Sequence, residues 1–191
     1  LFRSREKIID FVMNANLKTT SIEFLNNAKA NGFDFQLNFK YGKHPTFDSS
    51  DKEYVYRHNG NMISVKDINC NMYLSFDYNA LNTSIFYDDL LLTTKEVDAI
   101  NKLKVGDSIS KLYEKSLIYK ASAISKIYYA NDNLGNPKYS LYPCMTFVID
   151  KKGQTYKTID ISVSYGKISK ICEPIEHKKE YETGFNFFIQ S

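Results

Sequence analysis

Residues 103–117 read LKVGDSISKLYEKSL. Gly106 interrupts the preceding segment, and Asp107 or Ser108 can accept a hydrogen bond from a free first-turn N–H. Ile109, Leu112 and Tyr113 follow at i, i+3 and i+4, which makes one apolar stripe. The stretch therefore predicts the start of a helix. A fainter copy opens the chain, where Leu17, Lys18, Ser21, Ile22 and Leu25 echo Leu103, Lys104, Ser108, Ile109 and Leu112. Two similar units are expected, each opening with helices and continuing as strands.

Working outward, residues 4–14 carry Ile8, Ile9, Phe11 and Val12 at helical spacing. Residues 21–30 do so with Ile22, Leu25 and Ala28, capped by Thr20 or Ser21 and ended by Gly32. Residues 33–41 alternate Phe33, Phe35, Leu37, Phe39 and Tyr41 with Asp34, Gln36, Asn38 and Lys40, the pattern of a half-buried strand. Strands are expected at 54–57 and 62–65 around His58-Asn59-Gly60, since Asn-Gly is a strong hairpin signal. Another is expected at 69–76 and a further one at 83–92.

Thr94 is expected to cap a helix with Val97 and Ile100. Residues 117–130 fit neither period well. Strands follow at 139–149, 156–165 and 167–172, with Asp150-Lys151-Lys152-Gly153 and Tyr165-Gly166 as their turns. His177 to Glu180 reads as a polar link, and 185–189 as a last strand. Val55, Gly60, Asp67 and Ile68 match Val148, Gly153, Asp160 and Ile161 at one constant offset. Matches this short also arise by chance, so element order is the better evidence of duplication. The fold class is α+β, with units 1–92 and 93–191. Each has two helices followed by an antiparallel sheet, the helices on one sheet face.

The chain has 191 residues, enough for one domain or two small ones. Hydrophobic residues at 43% and charged residues at 25% are ordinary for a globular protein. A net charge of +3 is spread along the chain and is too mild for a nucleic-acid footprint. No apolar run approaches the roughly 20 residues that span a bilayer. The chain begins at Leu1, which leaves room for a removed signal peptide, a lipid anchor upstream or a trimmed end. The abundance of Asn, Lys, Ile and Tyr points to an AT-rich bacterial genome. Cys70, Cys144 and Cys172 fit no zinc spacing. In a simple meander Cys144 and Cys172 lie two strand spacings apart, about 9–10 Å, too far for a disulfide. Cys70 shares an apolar face with Met72, Leu74 and Phe76, so a buried thiol is expected there.

No GxSxG, HExxH, Walker loop, GxGxxG or CxxC occurs. Ser108 to Lys111 matches S-x-x-K, but the accompanying S-D-N and K-T-G of penicillin-recognising enzymes are absent, so a cap followed by an exposed lysine explains it better. His44, His58 and His177 fall in expected loops or links and lack metal-type partners at i+3 or i+4. No catalytic residue, metal or cofactor is expected, and the chain does not read as an enzyme. The polar strand faces are more suggestive. If helices cover the Phe33–Phe39 face, the other face carries Gln36, Asn38, Lys40, Asn71 and Tyr73. The hairpin strand adds Tyr54 and Tyr56. In the second unit Ile159, Ile161 and Val163 point inward, and Tyr156, Thr158, Asp160 and Ser162 outward. Tyr with Asn and Ser is a paratope-like mix, although Tyr and Thr also suit any solvated sheet face.

Val105-Gly106-Asp107-Ser108-Ile109, then Phe147 through Gly153, then Gly166-Lys167-Ile168 resemble the small bacterial envelope fold of BamE-type (SmpA/OmlA) lipoproteins. Two such units in tandem resemble the beta-lactamase inhibitor protein family. Lys115-Ser116-Leu117 lacks the Gly-x-Pro frequent in the family, and three Cys cannot supply a disulfide within each unit. The resemblance implies an exported interaction protein, periplasmic, anchored at the outer membrane or secreted. The reading is a protein-binding module of inhibitor or immunity type. Its partner would be another protein, met through Tyr54, Tyr56, Asn71, Tyr73, Tyr156, Thr158 and Asp160. The alternative is a structural or assembly lipoprotein of the envelope.

Overall fold

The computed structural model describes residues 4–40, 46–48, 55–57, 63–70, 72–77, 80–86, 90–131 and 137–178. Its elements in order are α1 (Arg5–Asn14), α2 (Ser21–Ala30), β1 (Phe35–Lys40), β2 (Thr46–Asp48), β3 (Val55–Arg57), β4 (Ile63–Asp67), β5 (Met72–Asp77) and β6 (Ala80–Phe86). Then come α3 (Thr94–Asn101), α4 (Ser110–Glu114), a 3-10 turn (Leu117–Lys120), β7 (Ala123–Asn131), β8 (Pro137–Lys152), β9 (Thr155–Ser164), β10 (Lys167–Ile171) and β11 (Ile175–Lys178). The fold is α+β, and every ladder whose register is described is antiparallel. An isolated parallel bridge joins Leu91 to Val148. No described helix is long and apolar enough to cross a membrane.

Residues 1–85 and 126–141 form one compact unit, and 86–125 with 142–191 form the other. The first boundary falls a few residues before the expected 92/93 division. Residues 126–141 fall with the first unit instead of the second. The reason is that β7 and β8 are long enough to contribute residues to both.

In the first unit, Ser4 caps α1 by accepting from the Lys7 N–H. Thr20 and Glu23 form a reciprocal capping box on α2. Ile8, Ile9, Val12, Phe24, Leu25 and Ala28 are buried along the inner faces of the two helices. The ring of Phe11 lies 4.6 Å from that of Phe33 and 6.1 Å from that of Phe24. Phe33 and Phe35 are buried while Asp34 and Gln36 are exposed, as the alternation requires. β1 pairs β4, β4 pairs β5 and β5 pairs β6. The expected β3–β4 hairpin is not formed. β3 pairs β2 in a separate two-stranded ladder, and β4 goes to β1 and β5. The Asn59-Gly60 signal lies outside the described residues, and the long-range pairing of residues 63–67 joins β4 to strands on both sides.

In the second unit, Thr93 and Glu96 form the capping box of α3, so the cap lies one residue before the expected Thr94. The organising stretch departs further from its reading. Gly106 takes φ +96°, and residues 106–109 lie along β10 as a short extra rung. Gly106 N–H donates to the Ile168 carbonyl, Ile168 N–H to that of Asp107, and Ile109 N–H to that of Gly166. The helix begins only at Ser110, whose N–H is accepted by Ser108 Oγ. Asp107 instead accepts from the Lys104 N–H and pairs with Lys111 at 3.2 Å. These two contacts, the backbone one first, hold its carboxyl below the usual range. Leu112, Leu117, Ile118, Phe147, Ile159, Ile161, Val163 and Ile168 are buried in this unit.

Candidate protein-binding surface

β8, β9 and β10 form a meander, and β11 continues down the same edge of β9 as β10. β10 pairs residues 161–164 of β9, and β11 pairs residues 155–158. The segment expected to be a polar link from His177 is therefore a strand at its start. Pro174, which cannot donate a ladder hydrogen bond, sits in the break between β10 and β11.

This pairing decides what happens to the expected site. His177 stands opposite Tyr156, and their rings stack at 5.2 Å with 24° between planes. His177 Nε2 and Thr158 Oγ1 share a hydrogen bond of 2.9 Å. Thr146 Oγ1 donates to Asp160 Oδ1 at 2.7 Å across the β8–β9 ladder. Tyr156 and Asp160 are half-buried, and Thr158 is buried. The structure thus brings Tyr156, Thr158 and Asp160 together on alternate positions of β9. Their polar atoms, however, are partly used within the unit, and the face is not the open one expected. His177 is neither a loop residue nor free, and it covers Thr158.

The first-unit residues fare differently. Tyr73 was expected to project outward, yet it is only 8% exposed. It lies on β5 between Lys66 of β4 and Ser84 of β6, and central strands of a sheet can be covered on both faces. Ser84 is buried beside it. Tyr56 lies on β3, outside the larger sheet. Tyr54 and Asn71, like His44 and His58, lie outside the described residues.

All three cysteines are free thiols and half-buried. Cys70 sits in the bend before β5 and is therefore less enclosed than expected. Cys144 pairs Ser162 on one side of β9, and the Cys172 N–H donates to the Asp160 carbonyl on the other. Burial first, and then the nearby Asp160 carboxylate, push the Cys144 thiol up to about 11. Such a thiol is a poor nucleophile at neutral pH. Among the described residues no cluster of His, Cys, Asp and Glu could hold a metal ion.

One residue that the sequence reading gave only as part of a turn stands out. Tyr165 and Gly166 form the two-residue turn between β9 and β10, with Ser164 opposite Lys167. Their φ angles are +51° and +73°, as a type I′ turn requires at both positions. Asn, Asp and Gly tolerate that conformation, whereas a bulky residue there is an outlier. Tyr165 is nevertheless 97% exposed. Val105, 64% exposed, precedes the Gly106 rung that bonds to β10. The signal available in the sequence was an aromatic residue at the first position of an X-Gly hairpin turn, where Asn or Asp belongs.

Compared with known proteins, the chain matches no family model, no curated protein and no solved structure. The resemblance of its second half to envelope and inhibitor proteins rests on the quoted residues alone.

Proposed function

We propose that the chain is a protein-binding module of inhibitor or immunity type that meets its partner through the β9–β10 turn. The observation that carries this reading is the 97% exposure of Tyr165 at φ +51°. A non-glycine residue in the left-handed region costs about 1 kcal/mol. At 97% exposure the ring returns almost none of that through packing against the described residues. A rigid ring with a hydroxyl tip is the side-chain type enriched among residues that dominate binding energy. The turn itself is held on a frame. Gly166 accepts from Ile109, and Ile168 exchanges hydrogen bonds with residues 106 and 107. An anchor presented by such a frame loses little entropy on docking.

In this proposal the two units are tandem copies of one plan, two helices and then antiparallel strands, with the helices on one sheet face. The module works outside the cytoplasm, a setting supported by the resemblance of the second half. The β9 face with Tyr156 and Asp160 contributes at the margin of the contact, since both side chains are half-buried.

A photo-crosslinking amino acid placed at position 165 of the full chain tests the reading in cells of the source organism. One defined protein adduct is expected from position 165. None is expected from a control at Lys151, an exposed residue near the opposite end of β9. Equal labelling from both positions, or labelling only of a second copy of the chain, would contradict it.

A further inference from the structure

β11 is an edge strand of the second unit. Its inner side pairs residues 155–158 of β9, and among the described residues no strand pairs its outer side. The stack of His177 on Tyr156 and the bond to Thr158 fix it to β9. Ile175, Glu176 and Lys178 are exposed, Ile175 by 47%.

Glu176 and Lys178 flank His177 in the strand and so share one face of this edge. Neither forms an ion pair among the described residues. The row of paired residues through Glu176 runs on to Lys157 and Asp150, charges of alternating sign. The row through Lys178 runs on to Thr155 and Lys152 and contains no acid. Lys178 therefore has no carboxylate opposite it on the β9 side, and the outer sides of both charges are open.

We infer that this edge pairs antiparallel with the same edge of a second copy of the chain, about a two-fold axis at His177. An antiparallel ladder centred on residue 177 sets residue 176 of each copy opposite residue 178 of the other. Glu176 and Lys178 then face each other twice, and directly opposite charges of unlike sign stabilise such a ladder. The joined row reads Asp150, Lys157, Glu176 and then Lys178 of the second copy, with signs alternating throughout. Ile175 comes diagonally beside His177 of the second copy, a spacing that long and aromatic side chains can reach. Charges on an edge ordinarily keep strands apart. Here they are self-complementary, so the edge admits its own copy and disfavours strands that bring like charges to the same positions. The contact is isologous and closes as a dimer. Tyr165 lies at the other end of β9 and stays open.

Sedimentation equilibrium of the full chain tests the pairing. A ladder this short predicts a weak dimer, with a dissociation constant on the order of 0.1 mM. Glu176→Lys and Lys178→Glu each set like charges opposite one another, and each variant alone should dimerise about tenfold or more weakly. An equimolar mixture of the two variants should regain the wild-type association as a heterodimer, because each then offers the sign that the other lacks. Both positions are exposed, so both variants should keep the wild-type thermal midpoint. Tyr165→Asn should dimerise as the wild type does, which separates this edge from the hairpin turn. A wild-type chain that stays monomeric up to millimolar concentration, a single variant that dimerises undiminished, or a mixture that fails to regain the association would each overturn the assignment.

Discussion

The Nζ of Lys126 donates to the carbonyl of Ala15 at 2.6 Å and to that of Met13 at 2.8 Å. A strand residue thus satisfies carbonyls at the end of α1 that helix geometry leaves without partners. Its positive charge also sits at the negative end of the helix dipole. The side chain is only 7% exposed, and burial lowers its amine to about 8.

Lys126→Met should destabilise the first unit by about 1–3 kcal/mol in urea at pH 7, because two carbonyls lose their donor. The pH dependence has a definite sign. Between about 8 and the ordinary lysine value near 10.4, the unfolded chain holds the proton that the folded chain has released. Wild-type stability relative to the Met variant should therefore rise across that window. A gap that stays flat or narrows from pH 8 to 10 would show that burial does not depress this amine.

Tyr73→Ala should cost about 2–4 kcal/mol in chemical denaturation, as for other large buried side chains. The sequence alone placed Tyr73 on an exposed face, where the same change would leave stability untouched. A cost under about 0.5 kcal/mol would return it to the surface.

Cys144 should react slowly with a disulfide reagent at pH 8, since its thiol is pushed up to about 11. A non-reduced digest should show no peptide joining Cys144 to Cys172, because β9 lies between them. Rapid modification of Cys144, or that linked peptide, would mean that the order of β8, β9 and β10 is different in solution.

Ser116 takes φ +56° between α4 and the 3-10 turn. Ser116→Gly should raise stability by about 0.5–1 kcal/mol by removing the left-handed penalty. A lowered melting temperature would place the Ser116 side chain in an interaction that offsets its backbone strain.

Much of this architecture was legible because local rules agreed with the tertiary outcome. The spacing of Ile8, Ile9 and Val12, the cap at Thr20 and the Phe33–Gln36 alternation each announced their elements. So did Gly153 and Tyr165-Gly166 at their turns. The failures share a cause in long-range pairing. Asn59-Gly60 carries a hairpin signal, yet β4 pairs on both sides with β1 and β5. Gly106 to Ser108 look like a helix start, but their backbone groups are taken by β10. His177 lies in a run of polar residues, and only its register against Tyr156 makes it part of a strand. The site was less legible for the same reason. Period-2 parity separates the two faces of Tyr73 and Thr158 but cannot say that both faces are covered. Tyr165 needed its φ angle, since an exposed aromatic at a turn is conspicuous only once the turn is known to be left-handed.

The affinity of the Tyr165→Asn variant for the protein crosslinked at position 165 tests the central claim most directly. Asn suits the left-handed turn, so the variant should fold at least as stably as the wild type, by up to about 1 kcal/mol more. It should bind that partner about tenfold or more weakly, a loss of at least about 1.4 kcal/mol. An unchanged affinity in a folded Tyr165→Asn protein would contradict the account.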